Sequence, residues 1–595
     1  MISLRRNSRL AVLGFSTVLA AGPVAAQVAP PSSSSLPTRE EVNRAAPGPD
    51  VRAPSRLTVS GGIERAPCPL ANPRFADVKV TLREAVFDNL QAVPAATLRP
   101  AYEAYLGKEM PIAVVCEIRD AAATILRRAG YLAAVQVPAQ KISSGIVHFN
   151  VLMAKIVAIQ VRGDAGRSER LIASYLEALK GDAVFNEHDA ERYLLLARDL
   201  PGFDVRLTLR PAGTKPGEVI GEVEVVRTPF TIEANVQNYG SRSVGRFGGM
   251  IRGEAYDILG FGDRLTAGLY STPDFEEQHV VQVGYDLRAG HEGLTLGGRF
   301  AYAWTEPDLG ADAGARLLSR TLVAAGEASY PFLRSQSANV RGAIGLEIVN
   351  QRARLAPDSG GNLPLSEDHL RTLYGRIDLQ AVDPASIGNI AGYSFAEPRW
   401  QAGGSIELRK GLNILGASDS GDILLSRFGA KSDAFLIRFS GAGEYRPVPD
   451  ITFSLSPRAQ YAADPLLSYE QFSGGNFTVG RGYDPGAVIG DSGVGLSAEL
   501  RYGHLAPHSR SDLVFQPYIF FDHAWVWNKN RFAAPPRPDP QQLSSAGVGL
   551  RAAYGDHARL DLMVAAPLER ATYQAKRGDP RVLLSFSTRL VPWSR

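Results

Sequence analysis

The chain has 595 residues but only two cysteines, Cys68 and Cys116, which excludes a disulfide-dense scaffold and a multi-cysteine zinc module. It has little net charge, with 64 Lys+Arg against 61 Asp+Glu. Nucleic acid as the main partner would call for a clustered basic surface, so that class is set aside. Beyond residue 30 no run of about 18 apolar residues occurs, which excludes membrane-spanning helices. There is no phosphate-cradling glycine loop and no dinucleotide-binding strand–glycine–helix unit. The nine histidines are scattered without zinc-ligand spacing, and His504 and His508 read as a loop pair at a membrane rim. No metal, cofactor or enzymatic activity is expected. Gly490-Asp491-Ser492-Gly493 looks like a serine-protease nucleophile loop, but no positioned His and Asp accompany it. The mean hydropathy of −0.09 looks like that of a soluble chain. A transmembrane barrel gives the same average, because its apolar residues alternate with polar ones.

What is present is glycine (59 residues) and aromatics (21 Tyr, 24 Phe), a mixture suited to many strands and turns. Residues 1–26 read as a secretory signal peptide: Arg5, Arg6 and Arg9 precede an apolar stretch from Leu10 to Ala21, and Val24-Ala25-Ala26 supplies small residues for cleavage. The mature chain then works outside the cytoplasm, where ATP is absent and thiols are oxidised. Residues 27–74 form a Pro/Ser-rich linker, within which Thr38-Arg39-Glu40-Glu41 has the pattern of a capped short helix.

Two α+β repeats follow, at 75–154 and 155–228. The first reads as a strand at Val78–Leu82, helices at Ala95–Leu106 and Ile112–Ala129, and strands at Tyr131–Val137 and Gly145–Met153. The second repeats that order with a strand at Lys155–Val161, helices at Ser168–Leu179 and Asn186–Leu200, and strands at Phe203–Arg210 and Glu218–Val226. From residue 229 to 595 the helical period vanishes and alternation takes over. Val494, Leu496, Ala498, Leu500 and Tyr502 share one strand face, opposed by Glu499 and Arg501. The strand pattern predicts segments near 231–239, 247–258, 264–272, 279–288, 293–304, 320–331, 338–349, 369–379, 398–409, 434–445, 451–462, 494–504, 514–527, 543–554, 557–567 and 581–591. Sixteen strands near ten residues each, one face apolar and the other carrying Glu499, Arg501, Arg559 and Asp561, predict a closed barrel in an outer membrane. Trp525, Trp527 and Tyr554 would belong to its aromatic girdles.

Between the eleventh and twelfth of these strands lies a long loop, 463–493, containing Gln471-Phe472-Ser473-Gly474-Gly475-Asn476-Phe477-Thr478-Val479-Gly480-Arg481-Gly482-Tyr483. Its glycines suit a backbone bent in a confined space, and Arg481 inside a lumen needs an anionic partner. Asp522, in Phe520-Phe521-Asp522-His523-Ala524, is the expected one. This loop, with Asn238-Tyr239-Gly240-Ser241, Leu259-Gly260-Phe261-Gly262-Asp263-Arg264-Leu265 and Arg128-Ala129-Gly130-Tyr131, resembles the two-partner secretion transporters of the haemolysin secretion/activation family, within the POTRA-barrel superfamily.

The resemblance implies two periplasmic POTRA domains and a sixteen-stranded transmembrane β-barrel. Its lumen loop carries Arg481, Gly482 and Tyr483 and is held by Asp522 on the wall. The partner implied is a large secreted exoprotein with an N-terminal secretion domain, recognised unfolded in the periplasm and exported without ATP. Outer-membrane lipid and the barrel-assembly machinery are the other partners, and no nucleic acid is expected. The chain departs from the family pattern at Ala524, where glycine is usual. It departs again at its end, Val591-Pro592-Trp593-Ser594-Arg595, where only Phe586 or Trp593 offers the usual terminal aromatic. In an oxidising compartment Cys68 and Cys116 are candidates for a disulfide. The alternative function is a β-barrel assembly or insertion factor of the same superfamily; a diffusion porin would have no use for periplasmic repeats.

Overall fold

The structure, a computed structural model, describes residues 36–43, 68, 70, 72–142, 144–180, 184–310, 314–388, 391–529, 539–571 and 576–592. The expected signal peptide, most of the linker, and Trp593 lie outside the described residues.

The first α+β unit is a three-stranded sheet against the helix Val114–Arg128. Its central strand, Ile146–Met153, pairs parallel with Glu84–Asp88 and antiparallel with Ala133–Gln136. The expected first strand at Val78–Leu82 is corrected here: Lys79–Thr81 pairs with Glu109–Pro111 in a separate ribbon, and Glu84–Asp88 takes the place in the sheet. Both segments alternate, and the pairing was decided by long-range contacts. The expected helix at Ala95–Leu106 is also corrected, to 3₁₀ turns at Ala95–Ala101 and Glu103–Tyr105. Pro100 has no N–H for an α-helical bond, which leaves only the tighter turn. Cys68 and Cys116 are disulfide-bonded, with 5.9 Å between their Cα atoms, and tie the segment before this unit to its helix.

The second unit has the same topology: Glu218–Arg227 pairs parallel with Lys155–Gly163 and antiparallel with Phe203–Pro211, against helices Glu169–Glu177 and Glu187–Arg198. The units are joined at a helix end. Gly130 (φ +83°) stops the first unit's helix, and its carbonyl accepts from Glu187 N at 2.8 Å, while Asn186 caps the second unit's helix and donates to the Ala129 carbonyl at 3.1 Å.

The rest is one closed barrel of sixteen antiparallel strands, each paired to the next and the sixteenth (Arg581–Val591) to the first (Phe230–Gln237). All sixteen fall where alternation placed them. The sixth, seventh and eighth (Ala315–Arg334, Ala338–Pro357, Leu363–Val382) run to 20 residues each, well beyond the predicted lengths. Closure leaves no sheet edge unpaired in lipid. The outward rows are apolar and exposed, among them Val494, Leu496 and Leu500 on the twelfth strand (Ser492–Tyr502) and Phe515, Ile519, Phe521 and Trp525 on the thirteenth (Leu513–Trp527).

The second unit is seated on the near-side turns of the barrel. Ser168 Oγ donates to Asp257 Oδ1 at 2.5 Å and accepts from Gly262 N at 2.8 Å. Arg334 forms a two-pronged pair with Asp199 at 2.6 and 2.7 Å. Arg192 donates to the Pro331 carbonyl at 2.9 Å. Gly262 (φ +56°) is required at its turn, since a Cβ there would lie 2.6 Å from Leu200 and 3.0 Å from Leu171 of the second unit. The Leu259–Leu265 segment is therefore the joint between periplasmic region and pore. His504 lies on the same end, its Nδ1 2.5 Å from Glu397 and Nε2 3.0 Å from Asp450.

Candidate functional site

The lumen is filled by two inserts. The first is the one-turn helix Arg39–Val42, capped where the sequence predicted and by a full capping box: Glu41 N donates to Thr38 Oγ1 at 3.3 Å and Thr38 N to Glu41 Oε2 at 2.9 Å. It sits inside the barrel, where Gln282 donates to the Val42 carbonyl at 3.0 Å, Asn43 to the Tyr469 hydroxyl at 2.7 Å, and Arg458 pairs with Glu40 at 3.1 Å.

The second insert is the loop between the eleventh strand (Ile451–Ala462) and the twelfth. It folds inward as a small hairpin, Phe472–Gly474 against Val488–Gly490. Gly475 (φ +144°) makes its bend, and a Cβ there would lie 2.2 Å from the Asp484 carbonyl oxygen. At the tip, Arg481 is enclosed by the wall. Its Nη2 lies 2.7 Å from Asp522 Oδ1, its Nε 3.0 Å from Asp522 Oδ2, and its backbone N–H also donates to Oδ2 at 2.9 Å. Nη1 reaches Glu499 at 2.5 Å, and the guanidinium lies over the Phe520 ring, 3.7 Å from its centroid. Asp522 is fully buried and also accepts from Ser545 Oγ at 3.1 Å. A two-pronged guanidinium–carboxylate pair backed by a third donor fixes both position and orientation.

Gly482 explains itself by contact: a Cβ would lie 2.8 Å from Pro567 N and 2.9 Å from the Ala566 carbonyl carbon, so the loop backbone lies directly on the wall. Tyr483 is buried, and its hydroxyl lies 2.8 Å from the Ser544 carbonyl and 2.9 Å from that of Glu569. Ala524, the departure from the family pattern, faces Gly474; a Cβ on Gly474 would come within 3.3 Å of its methyl. The loop glycine leaves the space that the wall alanine fills.

Several residues that the sequence reading passed over complete the site. Glu470, on the loop and off the strands, pairs with Arg409 at 2.7 Å and with Arg438. Burial alone would raise its carboxyl, but Arg409, Arg438 and Arg39 outweigh it and hold the group at about 2. Asp491, from the protease-like tetrad, is a buried acceptor: Arg427 pairs with it, and the backbone N–H groups of Leu466 and Lys529 donate at 3.0 and 2.8 Å. Below the tip, Glu499, Arg501 and Asp561 face the lumen as the sequence predicted, and Glu499 accepts from Arg551 at 2.8 and 3.0 Å and from Arg501 at 2.7 Å. Asp561 accepts from Arg551 at 3.1 Å. The lumen lining is thus a set of matched pairs, which solvate the wall and the inserts alike.

A barrel with an inward loop anchored through an arginine, and α+β units seated on one mouth, is the architecture of a POTRA-type protein-transport pore. Comparison with known proteins agrees. Residues 374–552, which contain the whole lumen loop and Asp522, match the haemolysin secretion/activation protein family (ShlB/FhaC/HecB), and residues 80–153 match the ShlB-type POTRA domain. No curated protein matches the chain. Among solved structures the chain is similar to CdiB from Escherichia coli, with 17% identity, 93% of this chain and 95% of that one covered, and a TM-score of 0.65. It is similar to CdiB from Acinetobacter baumannii at 17% identity, 90% and 95% covered, TM-score 0.56. It is also similar to BamA from Haemophilus ducreyi lacking POTRA domains 1–3, at 14%, 86% and 100%, TM-score 0.52. The pore and the first periplasmic unit thus each carry a segment that matches this family's models. The chain is a two-partner secretion transporter of the outer membrane, with its POTRA region in the periplasm.

Proposed function

We propose that the chain receives one unfolded exoprotein at its two periplasmic units and passes it through the barrel without ATP, the lumen inserts giving way as it enters. The observation that carries this reading is the occupied lumen: two inserts fill it, one of them a single helical turn. Both periplasmic sheets have an edge strand, Glu84–Asp88 in the first and Lys155–Gly163 in the second, to which an extended client can add by main-chain hydrogen bonds with little demand on its sequence. Direction comes from folding of the client outside, which removes chain from the return path. In this reading Arg481 and Asp522 position the loop and do no chemistry. The barrel-assembly machinery inserts the chain, and outer-membrane lipid surrounds it.

The test is co-expression with a candidate exoprotein encoded beside it, with exoprotein measured in the medium. Secretion that requires this chain, and that purified chain in lipid vesicles reproduces without nucleotide, supports the proposal. If the exoprotein stays periplasmic regardless and other barrels fail to reach the surface when this chain is removed, an assembly factor is the better reading.

A further inference from the structure

The long sixth, seventh and eighth strands raise a question, since about ten residues suffice to cross. Their outward apolar rows stop well short of the far ends of the strands. On the sixth strand the outward row runs from Phe332 through Tyr330, Ala328, Gly326 and Ala324 to Leu322, and the next outward residue is Arg320. Ten residues at about 3.3 Å each, tilted by about 40°, span about 25 Å, the height of a barrel's apolar band. On the seventh strand the row ends at Ile348 and is followed by Asn350, Arg352 and Arg354; on the eighth it ends at Leu373. The ladder sets Arg320 opposite Arg352, with Trp304 of the fifth strand (Leu294–Thr305) on the other side of Arg320.

Arg320, Arg352 and Arg354 are exposed and face the membrane side beyond the apolar rows, Arg320 by one outward position, Arg352 by two and Arg354 by three, on the end of the barrel away from the periplasmic units. Like charges directly opposite on a ladder repel. One carboxylate answers them: Glu367, at 2.8 Å from Arg352. Among the described residues Arg320 and Arg354 have no ion-pair partner. At the same end of the thirteenth strand the outward residues include Trp525 and Trp527, and that strand carries no lysine or arginine, so the patch belongs to one sector of the wall. We infer that Arg320, Arg352 and Arg354 form a binding site for the phosphate groups of lipid in the extracellular leaflet. Guanidinium forks match phosphate oxygens in pairs, and Trp304 supplies the interfacial ring beside them. The lengthened strands hold the cations rigidly at head-group height.

The experiment uses the full chain in neutral-detergent micelles, with bound lipid counted by native mass spectrometry after addition of diphosphoryl lipid A or its dephosphorylated form. The wild type should retain the diphosphoryl lipid only. The triple variant R320Q/R352Q/R354Q should retain about tenfold less, and the single variant R354Q about threefold less, as expected for lost charge-assisted bonds. Heat-modifiable migration confirms that each barrel is folded. R83Q/R127Q/R128Q, which removes the same charge from exposed positions of the first periplasmic unit, should retain as much as the wild type. Equal retention by the triple variant, or of the dephosphorylated lipid by the wild type, overturns the site. Inorganic phosphate alone protecting the wild type from heat as well as diphosphoryl lipid A does would overturn its assignment to lipid.

Discussion

The two lumen inserts are held in different ways. The loop is tethered to the wall at both ends, and its charged tip and base, Arg481 and Glu470, sit among buried countercharges. The helix is four residues long, satisfies its own first turn through the capping box, and meets the wall through single hydrogen bonds and one ion pair, Arg458–Glu40. Withdrawing the helix gives up hydrogen bonds worth about 1 kcal/mol each, the Arg458–Glu40 pair and the burial of Leu36 and Val42, but leaves each wall carboxylate with an arginine of the wall or loop. Withdrawing the loop strands Asp522 and Glu499 as carboxylates in a closed wall, and breaking a buried pair costs about 3–5 kcal/mol. Under the proposed export cycle the helix is therefore the insert expected to leave first, and the loop the one expected to stay or move as a unit.

The largest effect that tests this contrast is expected from Arg481→Ala. Asp522, fully buried, keeps among the described residues only Ser545 as a side-chain donor, and the tip loses the ring contact with Phe520 as well. Secretion should fall at least about tenfold, in line with a loss of several kcal/mol at the seat, while the barrel still inserts and migrates as a folded species. Normal export by this variant would break the distinction between the inserts. Gly482→Ala comes next. Its methyl meets backbone atoms of Ala566 and Pro567, which do not move aside, and overpacking of this kind costs about 1–3 kcal/mol. A cysteine pair reporting the distance from loop tip to wall should show the displacement, with secretion reduced less than in Arg481→Ala.

Deleting residues 36–43 acts on the other side of the comparison. Channel conductance in planar bilayers should rise, with the loop-tip distance unchanged. Thr38→Ala is its milder form: loss of the cap costs about 1 kcal/mol of helix and should raise the open fraction about fivefold. If the deletion leaves conductance at the wild-type level, the helix is not what occludes the pore.

The barrel was legible in the sequence because alternation is a local signal, and all sixteen strands could be placed from it. Strand length was not. On the sixth, seventh and eighth strands the outward row turns polar at Arg320, Asn350 and Arg371, and a pattern built on apolar alternation stops there. The first periplasmic unit went wrong at Val78–Leu82 for a related reason: two short alternating segments compete, and the parallel pairing of Glu84–Asp88 with Ile146–Met153 spans some sixty residues. At the site, Arg481, Gly482, Tyr483 and Asp522 were named from the family pattern and lie together. Glu470, Arg409, Arg438 and Arg427 were not named. An arginine on a strand looks the same in sequence whether it faces water or a buried carboxylate, and their partners lie 32 to 64 residues away.

The smallest expected effect concerns Ala524, where the family usually has glycine. Its methyl is fully buried among Phe472, Val479, Val488 and Leu543, in the cluster that seats the loop hairpin. Gly474 faces it and leaves it room. The pair therefore works as one small residue and one glycine shared between loop and wall. Ala524→Gly removes one buried methyl and loosens the strand, for a cost of about 1 kcal/mol, and secretion should stay near wild type. Gly474→Ala on the wild-type background crowds Ala524 and Val488 and should displace the hairpin. Combined with Ala524→Gly it should recover in part, because the wall then makes the room the loop has lost. A double-mutant cycle read by the loop-tip distance measures that coupling. Strict additivity would mean that loop and wall do not pack as a complementary pair at this point.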